Sequence, residues 1–381
     1  MNMKIDRTKT IRFTAAALTL AASISWMPSA LAAEPAAFSD VTPGRAYYED
    51  ICWAAEHGIA AGNNGKFAPD QKITVLQYYT MLSRSIPESE QDTRDYGAEK
   101  GSMLYHLRRV ANNSWTGDYR PEIEEYKDSY ITAGRAWYDA LTANGVQIYS
   151  GWLYGQKSSN TEDGMRAAKD LGLAGKNEKA NDLITRAQAA AIIHAAQQNT
   201  KTLAEPPIVK EMQGSVPELQ MARPYVNEFY EYMMLVPAPI REAFRKDGWT
   251  ISFDTDAISA YSNETGTYSI SGMTVYSKKT IYLADAKSLL HEMGHYYQRK
   301  LETSGMDPDV YATFDAIFAQ EKWSGSLYND RPNNSGAEFF ADAFAYYALT
   351  GFVRWGADAK LESQQYFDDL ADRGWIDTVS K

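Results

Sequence analysis

The chain is poor in cysteine, in histidine and in positive charge, and each shortage closes a route. It has one cysteine, Cys52, in 381 residues. No intramolecular disulfide can form, so stability has to come from packing. Lysine and arginine number 38 against 49 acids, a formal net charge of -11. Contact with nucleic-acid phosphates wants a basic excess, so nucleic acid is not an expected partner. Hydrophobic residues make up 44 % and charged residues 23 %. That balance excludes collagen-like and wholly disordered classes and fits a globular protein. The length points to two domains. With only five histidines, any place where two of them stand together carries weight.

Lys4, Arg7, Lys9 and Arg12 face a single Asp6 at the N-terminus, and residues 13–27 are apolar with only Thr and Ser between. Pro28 then precedes Ser29-Ala30-Leu31-Ala32-Ala33, with small residues at the cleavage positions. This is the pattern of a secretory signal peptide over residues 1–33. The apolar run is shorter than the roughly 20 residues a span needs, and no later stretch is long and apolar enough. The expected product is therefore secreted and extracellular, with no membrane span after cleavage. Cys52, beside Trp53, reads as a buried apolar residue.

Residues 34–198 read as an all-α region with two repeats, over about 38–86 and 128–198. Tyr48, Ile51, Ala55 and Ile59 recur at helical spacing. Asn63-Asn64-Gly65-Lys66-Phe67-Ala68-Pro69-Asp70 is turn chemistry, and Thr74 is placed to cap a second helix. In the second copy Ala136-Trp137 and Ala140-Leu141 lie on a helix ended by Asn144-Gly145, and Ile184-Thr185-Arg186-Ala187-Gln188 follows later. Phe38-Ser39-Asp40-Val41, Gly58-Ile59, Gly65 to Pro69, Ile73-Thr74 and Met81-Leu82 resemble the S-layer homology module. The resemblance implies attachment to an anionic cell-wall polymer, with Arg186 as the contact, since a planar guanidinium pairs well with carboxylate or phosphate. The first copy has Thr74-Val75-Leu76-Gln77 and no arginine there. Residues 87–127 fit no repeat, although 102–110 reads as a helix. Residues 199–222, with Pro206-Pro207, Gly214 and Pro217, read as a linker.

The chemistry is expected in residues 223–381. Residues 273–283 alternate like a strand, and Asp285 is a good N-cap for the helix after it. That helix carries His291-Glu292-Met293-Gly294-His295. Residues one turn apart project from one face, so both imidazoles can chelate one Zn²⁺. Glu292 then stands beside the metal as general base for a water whose pKa falls to about 7. The other histidines, His57, His106 and His194, all lie in the N-terminal half, so the third ligand is expected to be a downstream carboxylate. Glu338 and Asp342 stand one turn apart in Ser335-Gly336-Ala337-Glu338-Phe339-Phe340-Ala341-Asp342-Ala343-Phe344-Ala345-Tyr346-Tyr347. Glu338 is the expected ligand, with Asp342 accepting a hydrogen bond from a ligating histidine. Glu302, Asp307, Asp309, Asp315 and Glu321 lack that neighbour pattern.

These two helices resemble the anthrax lethal factor-like zinc metallopeptidases, and within them the secreted Pro-Pro endopeptidases. The resemblance implies an α+β, mostly helical, zincin-like (gluzincin) catalytic domain with a small sheet and one catalytic zinc on His291, His295 and Glu338. It also implies Glu292 as general base and a tyrosine before the third ligand as oxyanion donor, for which Tyr328 is the nearest upstream candidate. The substrate implied is an extracellular protein or peptide, cut at proline-rich sites. Residues 267–276 read either as an edge strand that pairs with that peptide or as an internal strand. A wall-associated binding protein with a non-catalytic protease-like domain is the alternative. Glu292 discriminates, because a protein that only binds has no use for a general base.

Overall fold

The computed structural model describes residues 38–88, 94–111, 121–216, 223–266, 270–321, 335–350 and 361–376. The signal-peptide reading over residues 1–33 and Tyr328 both lie outside them. The described residues are mostly helical, with one three-stranded sheet. No helix among them is long and apolar enough to cross a membrane.

Among the described residues the N-terminal part has six α-helices in sequential pairs: α1 Tyr48–Glu56, α2 Val75–Ser85, α3 Met103–Ala111, α4 Ala133–Ala143, α5 Asn160–Asp170 and α6 Arg186–Gln198. The second helix of each pair follows an Ile-Thr step: Ile73-Thr74, Ile131-Thr132 and Ile184-Thr185. These steps close a ring. Ile131 N–H donates to Ile73 C=O at 3.2 Å, Ile73 N–H to Ile184 C=O at 3.2 Å, and Ile184 N–H to Ile131 C=O at 3.3 Å. All three isoleucines are buried, so each satisfies polar backbone that water cannot reach. There are thus three copies where the sequence was read as two. The stretch over 128–198 combines the second helix of one copy with the whole of the next. The first helix of the divided copy is α3, which the sequence reads as a helix over 102–110 but assigns to no repeat.

Local chemistry explains these helices. Thr74 and Thr185 each accept from the N–H three residues on, and Gln77 and Gln188 reach back to the cap N–H. Each is a capping box, with typical worth about 1 kcal/mol. Asn64 and Gly65 have φ of 49° and 71°, the paired left-handed conformation of a two-residue hairpin turn. That turn sets Phe67 against Phe38 and lets Asp40 accept from the N–H groups of Phe67 and Ala68, both at 2.8 Å. Cys52 is half-buried rather than buried, because α1 turns Ile51 and Ala54 inward.

The segment read as a linker is not a free connector. It holds α7 Pro207–Met212, with proline in the first turn where no N–H is needed. Ile208, Val209 and Met212 are buried in the second core, and Leu153 joins them from the N-terminal side. α8 Arg223–Leu235 and α9 Ala238–Lys246 lead to β1 Thr250–Phe253, α10 Thr255–Thr265, β2 Gly272–Val275 and β3 Thr280–Leu283. The strand order is β1-β3-β2, with β1 parallel and β2 antiparallel to β3. The single strand expected over 273–283 is therefore a hairpin, broken where Lys279 turns left-handed at φ 50°. α11 Leu289–Ser304, α12 Val310–Glu321, α13 Gly336–Thr350 and α14 Glu362–Asp372 complete the chain. Their core is aromatic: Phe314, Phe339, Phe340, Phe344 and Phe367 are fully buried.

One contact in this core matters most for the site. Gly294 packs on α13 so closely that a Cβ there would lie 2.7 Å from Ala341 Cα. Backbone meets backbone at that point, which only glycine permits. The crossing brings the His291-Glu292 turn of α11 beside the Glu338-Asp342 turn of α13.

Candidate functional site

His291 and His295 are half-buried on one face of α11, with their Nε2 atoms 3.1 Å apart. From α13, Glu338 sets Oε2 3.3 Å from His291 Nε2 and Oε1 3.5 Å from His295 Nε2. All three ligand atoms lie within 4.8 Å of one another. Ligands at about 2.0–2.1 Å from a tetrahedral ion stand roughly 3.3 Å from each other, so the spacing fits a divalent cation. The chemistry fits as well: two imidazoles and a carboxylate form a zinc-type donor set.

The acids around the rings deepen that preference. Asp342 is 1 % exposed, and its Oδ1 sits 2.7 Å from His291 Nδ1. The contact fixes the ring with Nε2 turned towards Glu338. Burial pulls the His291 pKa down, but Asp342, Glu338 and Glu292 overcome it and raise it to about 10. Glu338, in turn, is held far below the ordinary carboxylate range by hydrogen bonds to His291 and His295, against burial. The protein's own charges therefore favour a cation between the rings, and a proton and a metal ion compete for the place.

Glu292 is 5 % exposed and meets β2. Thr274 donates its hydroxyl to Glu292 Oε2 at 2.6 Å. Ser271 Oγ meets Ser288 Oγ at 2.6 Å, and Tyr276 donates to the His295 carbonyl at 3.3 Å. Three side chains thus lay β2 along α11. Among the described strands β2 lies at the edge of the sheet, paired with β3 alone.

Asp285 does not cap α11 itself. The N-cap is Ser288, and Asp285 Oδ1 accepts from Ser288 N–H and Oγ–H at 3.0 and 3.1 Å, one turn earlier. Ser335 does help start α13, accepting from Glu338 N–H at 3.3 Å. Four of the other acids have structural work. Asp307 accepts from Tyr366, Glu321 from Ser363, Asp315 from the Gly336 N–H, and Glu302 pairs with Arg299. His57, His106 and His194 hold Trp53 C=O, Ser83 and Asp50. Gly272 and Thr274 were legible only as strand residues. The alternation of small residues on one strand face was the signal that they face something close.

In the N-terminal part, Arg186 lies over the Phe67 ring, 5.0 Å from its centroid, and its Nε donates to the Phe67 carbonyl at 2.7 Å. It thereby ties the third copy to the first. A separate cleft of about 240 Å³ opens between copies, lined by Tyr47, Asp50, Trp137, Lys179 and Gln188 among others. Residues 37–74 match the S-layer homology domain. S-layer homology domains bind cell-wall polymers, and this one associates the chain with the cell surface or wall. Neither the curated proteins nor the solved structures gave a match to the chain.

Proposed function

We propose that the chain is a wall-associated zinc endopeptidase of the lethal factor-like, gluzincin kind. The observation that carries this reading is the convergence of His291, His295 and Glu338 beside a buried Glu292. Two helices bring the donors together, and the acid next to them is no part of the triad. His291, His295 and Glu338 hold the zinc. Zinc, when bound, supplies Lewis acidity that brings the pKa of a water to about 7 and polarises a carbonyl.

The chain's own residues do the rest. The open edge of β2 binds an extended peptide by main-chain hydrogen bonds. Glu292 takes the proton of the attacking water and later gives it to the leaving amine. Asp342 fixes the ring of His291. Tyr328 is the assigned oxyanion donor. The substrate is an extracellular protein or peptide, with proline-rich (Pro-Pro) sites the first to test.

The test is cleavage of a diverse peptide library, Pro-Pro sequences included, by the wild-type protein beside Glu292→Ala. Cutting by the wild type alone supports the reading, and the cut sites give the specificity. Cutting by neither returns the chain to the alternative, a wall-associated binding protein. Cutting by both removes Glu292 as the base.

Attachment is assigned to the S-layer homology region, with Arg186 the contact for an anionic wall polymer. Arg186→Gln is expected to weaken sedimentation with purified cell walls about tenfold, a typical loss for one charge-assisted pair. Unchanged binding leaves Arg186 with its bond to Phe67 as its only task.

A further inference from the structure

Glu292 is held by the strand above it. It sits on α11, where three rotatable bonds separate its carboxylate from the backbone, and no lysine or arginine pairs with it among the described residues. Thr274 Oγ1 lies 2.6 Å from Glu292 Oε2 and 3.3 Å from the Glu292 carbonyl. The short contact is the strong one, since a hydroxyl has one proton to give and an ionised acceptor makes the better bond. Two residues earlier, on the same face of β2, stands Gly272. A Cβ there would lie 2.6 Å from Glu292 Oε1 and 2.7 Å from its Cγ. Real Cβ atoms do not come so close, so any other residue at 272 pushes the carboxylate away. Thr274 thus holds one oxygen, and the missing side chain at 272 leaves room for the other.

The strand is itself fixed. Ala284 N–H donates to the Ser271 carbonyl at 2.8 Å, Ser271 meets Ser288, and Gly272 and Thr274 pair with Leu283 and Ile281 of β3. The hydroxyl therefore has a set position rather than one of several rotamers.

We infer that Gly272 and Thr274 are positioning residues that hold the Glu292 carboxylate in place for proton transfer. The inference rests on the endopeptidase reading above. In that role the Thr274 side chain touches neither substrate nor metal. It selects one rotamer of the base, so its loss acts on turnover and not on peptide binding. The same two residues lie on the edge strand assigned to the substrate. A peptide seated there is then registered against a base that the same strand has fixed.

The experiment uses the full zinc-loaded protein and a peptide that the wild type cuts. Thr274→Val keeps the shape and removes the hydroxyl; Thr274→Ser keeps the hydroxyl. The expected result is a fall in kcat of about tenfold or more for Thr274→Val, with KM and bound zinc unchanged, and recovery to within about threefold in Thr274→Ser. Gly272→Ala is expected to lower kcat likewise. Crystal structures of wild type and Gly272→Ala give a readout apart from activity: the carboxylate should leave Thr274 in the variant only. If the wild type cuts but Thr274→Val matches it, or if serine fails to rescue, the positioning role is overturned and the peptidase reading stands. If the wild type cuts nothing, the peptidase reading falls and takes this role with it. Should Thr274→Val fold poorly, Gly272→Ala alone decides, because the atoms it meets belong to the flexible Glu292 side chain.

Discussion

Both halves of the molecule bury charge, and they treat it in opposite ways. In the three-copy N-terminal part each buried charge is answered nearby. Arg109, 2 % exposed, gives its guanidinium to the carbonyls of Ser83, Ile86 and Pro87. Asp139 accepts from Arg135 and Tyr79, each at 2.7 Å. Asp163 takes the N–H of Gly151 at 2.8 Å and pairs with Arg166. In the C-terminal part the buried acids Glu292 and Asp342 and the exposed Glu338 gather within one turn of two histidines; Asp342 and Glu338 meet imidazoles, and no lysine or arginine pairs with any of the three among the described residues. Burying a charge without a lysine or arginine partner costs several kcal/mol. A fold tolerates it where a cation or a proton transfer makes use of it. The difference separates a scaffold from a site.

The comparison can be broken from either side. The largest effect is expected at Glu292. Glu292→Ala should cut turnover by about 10²–10⁴, while thermal unfolding stays level or rises, because a buried acid with no lysine or arginine partner has been removed. A large fall in melting temperature would make Glu292 structural and erase the contrast.

Next comes the scaffold's own titrating group. His106 is 8 % exposed, and burial, with Arg84 and Arg109 beside it, depresses its pKa from 6.5 to about 4. The folded state then binds fewer protons than the unfolded one between those values, so stability is full above about pH 6.5 and falls as pH drops towards about 4. The loss is on the order of 3 kcal/mol. Denaturant titrations across that range, repeated on His106→Leu, should show the slope in the wild type and a shallower one in the variant. Equal slopes would mean that His106 is not the group responsible.

The smallest effect is expected at Asp342→Asn, with a loss of about 10–100-fold in metal affinity or turnover through misplacement of His291. Competition with a chromogenic chelator reads the affinity directly. A variant with wild-type affinity would show that Asp342 merely fills space.

How legible all this was depended on how local each feature is. A capping box spans four residues, so Thr74 and Thr185 could be read from the chain, as could Asn64-Gly65. The same holds for His291 with His295 and for Glu338 with Asp342, because one helical turn fixes each pair. What could not be read joins distant parts. The meeting of α11 and α13 depends on Gly294 lying against Ala341, and nothing beside Gly294 in the sequence names its neighbour. The ring of Ile73, Ile131 and Ile184 is likewise backbone bonding across three copies. Without it Ile131-Thr132 looks like the start of a copy instead of its middle. The hairpin at Lys279 was missed because alternation continues through the turn. Residues 199–222 passed for a linker because prolines mark a helix start and a connector alike.

The ring has a mechanical consequence. A protein held at a surface by one end and working at the other is a tether under load. In a row of independent modules, a pull opens the weakest first and then the next. Here Ile73, Ile131 and Ile184 each give a bond to one neighbouring copy and take a bond from the other. No copy can be drawn away without parting from both neighbours, so a load on one copy is passed to all three.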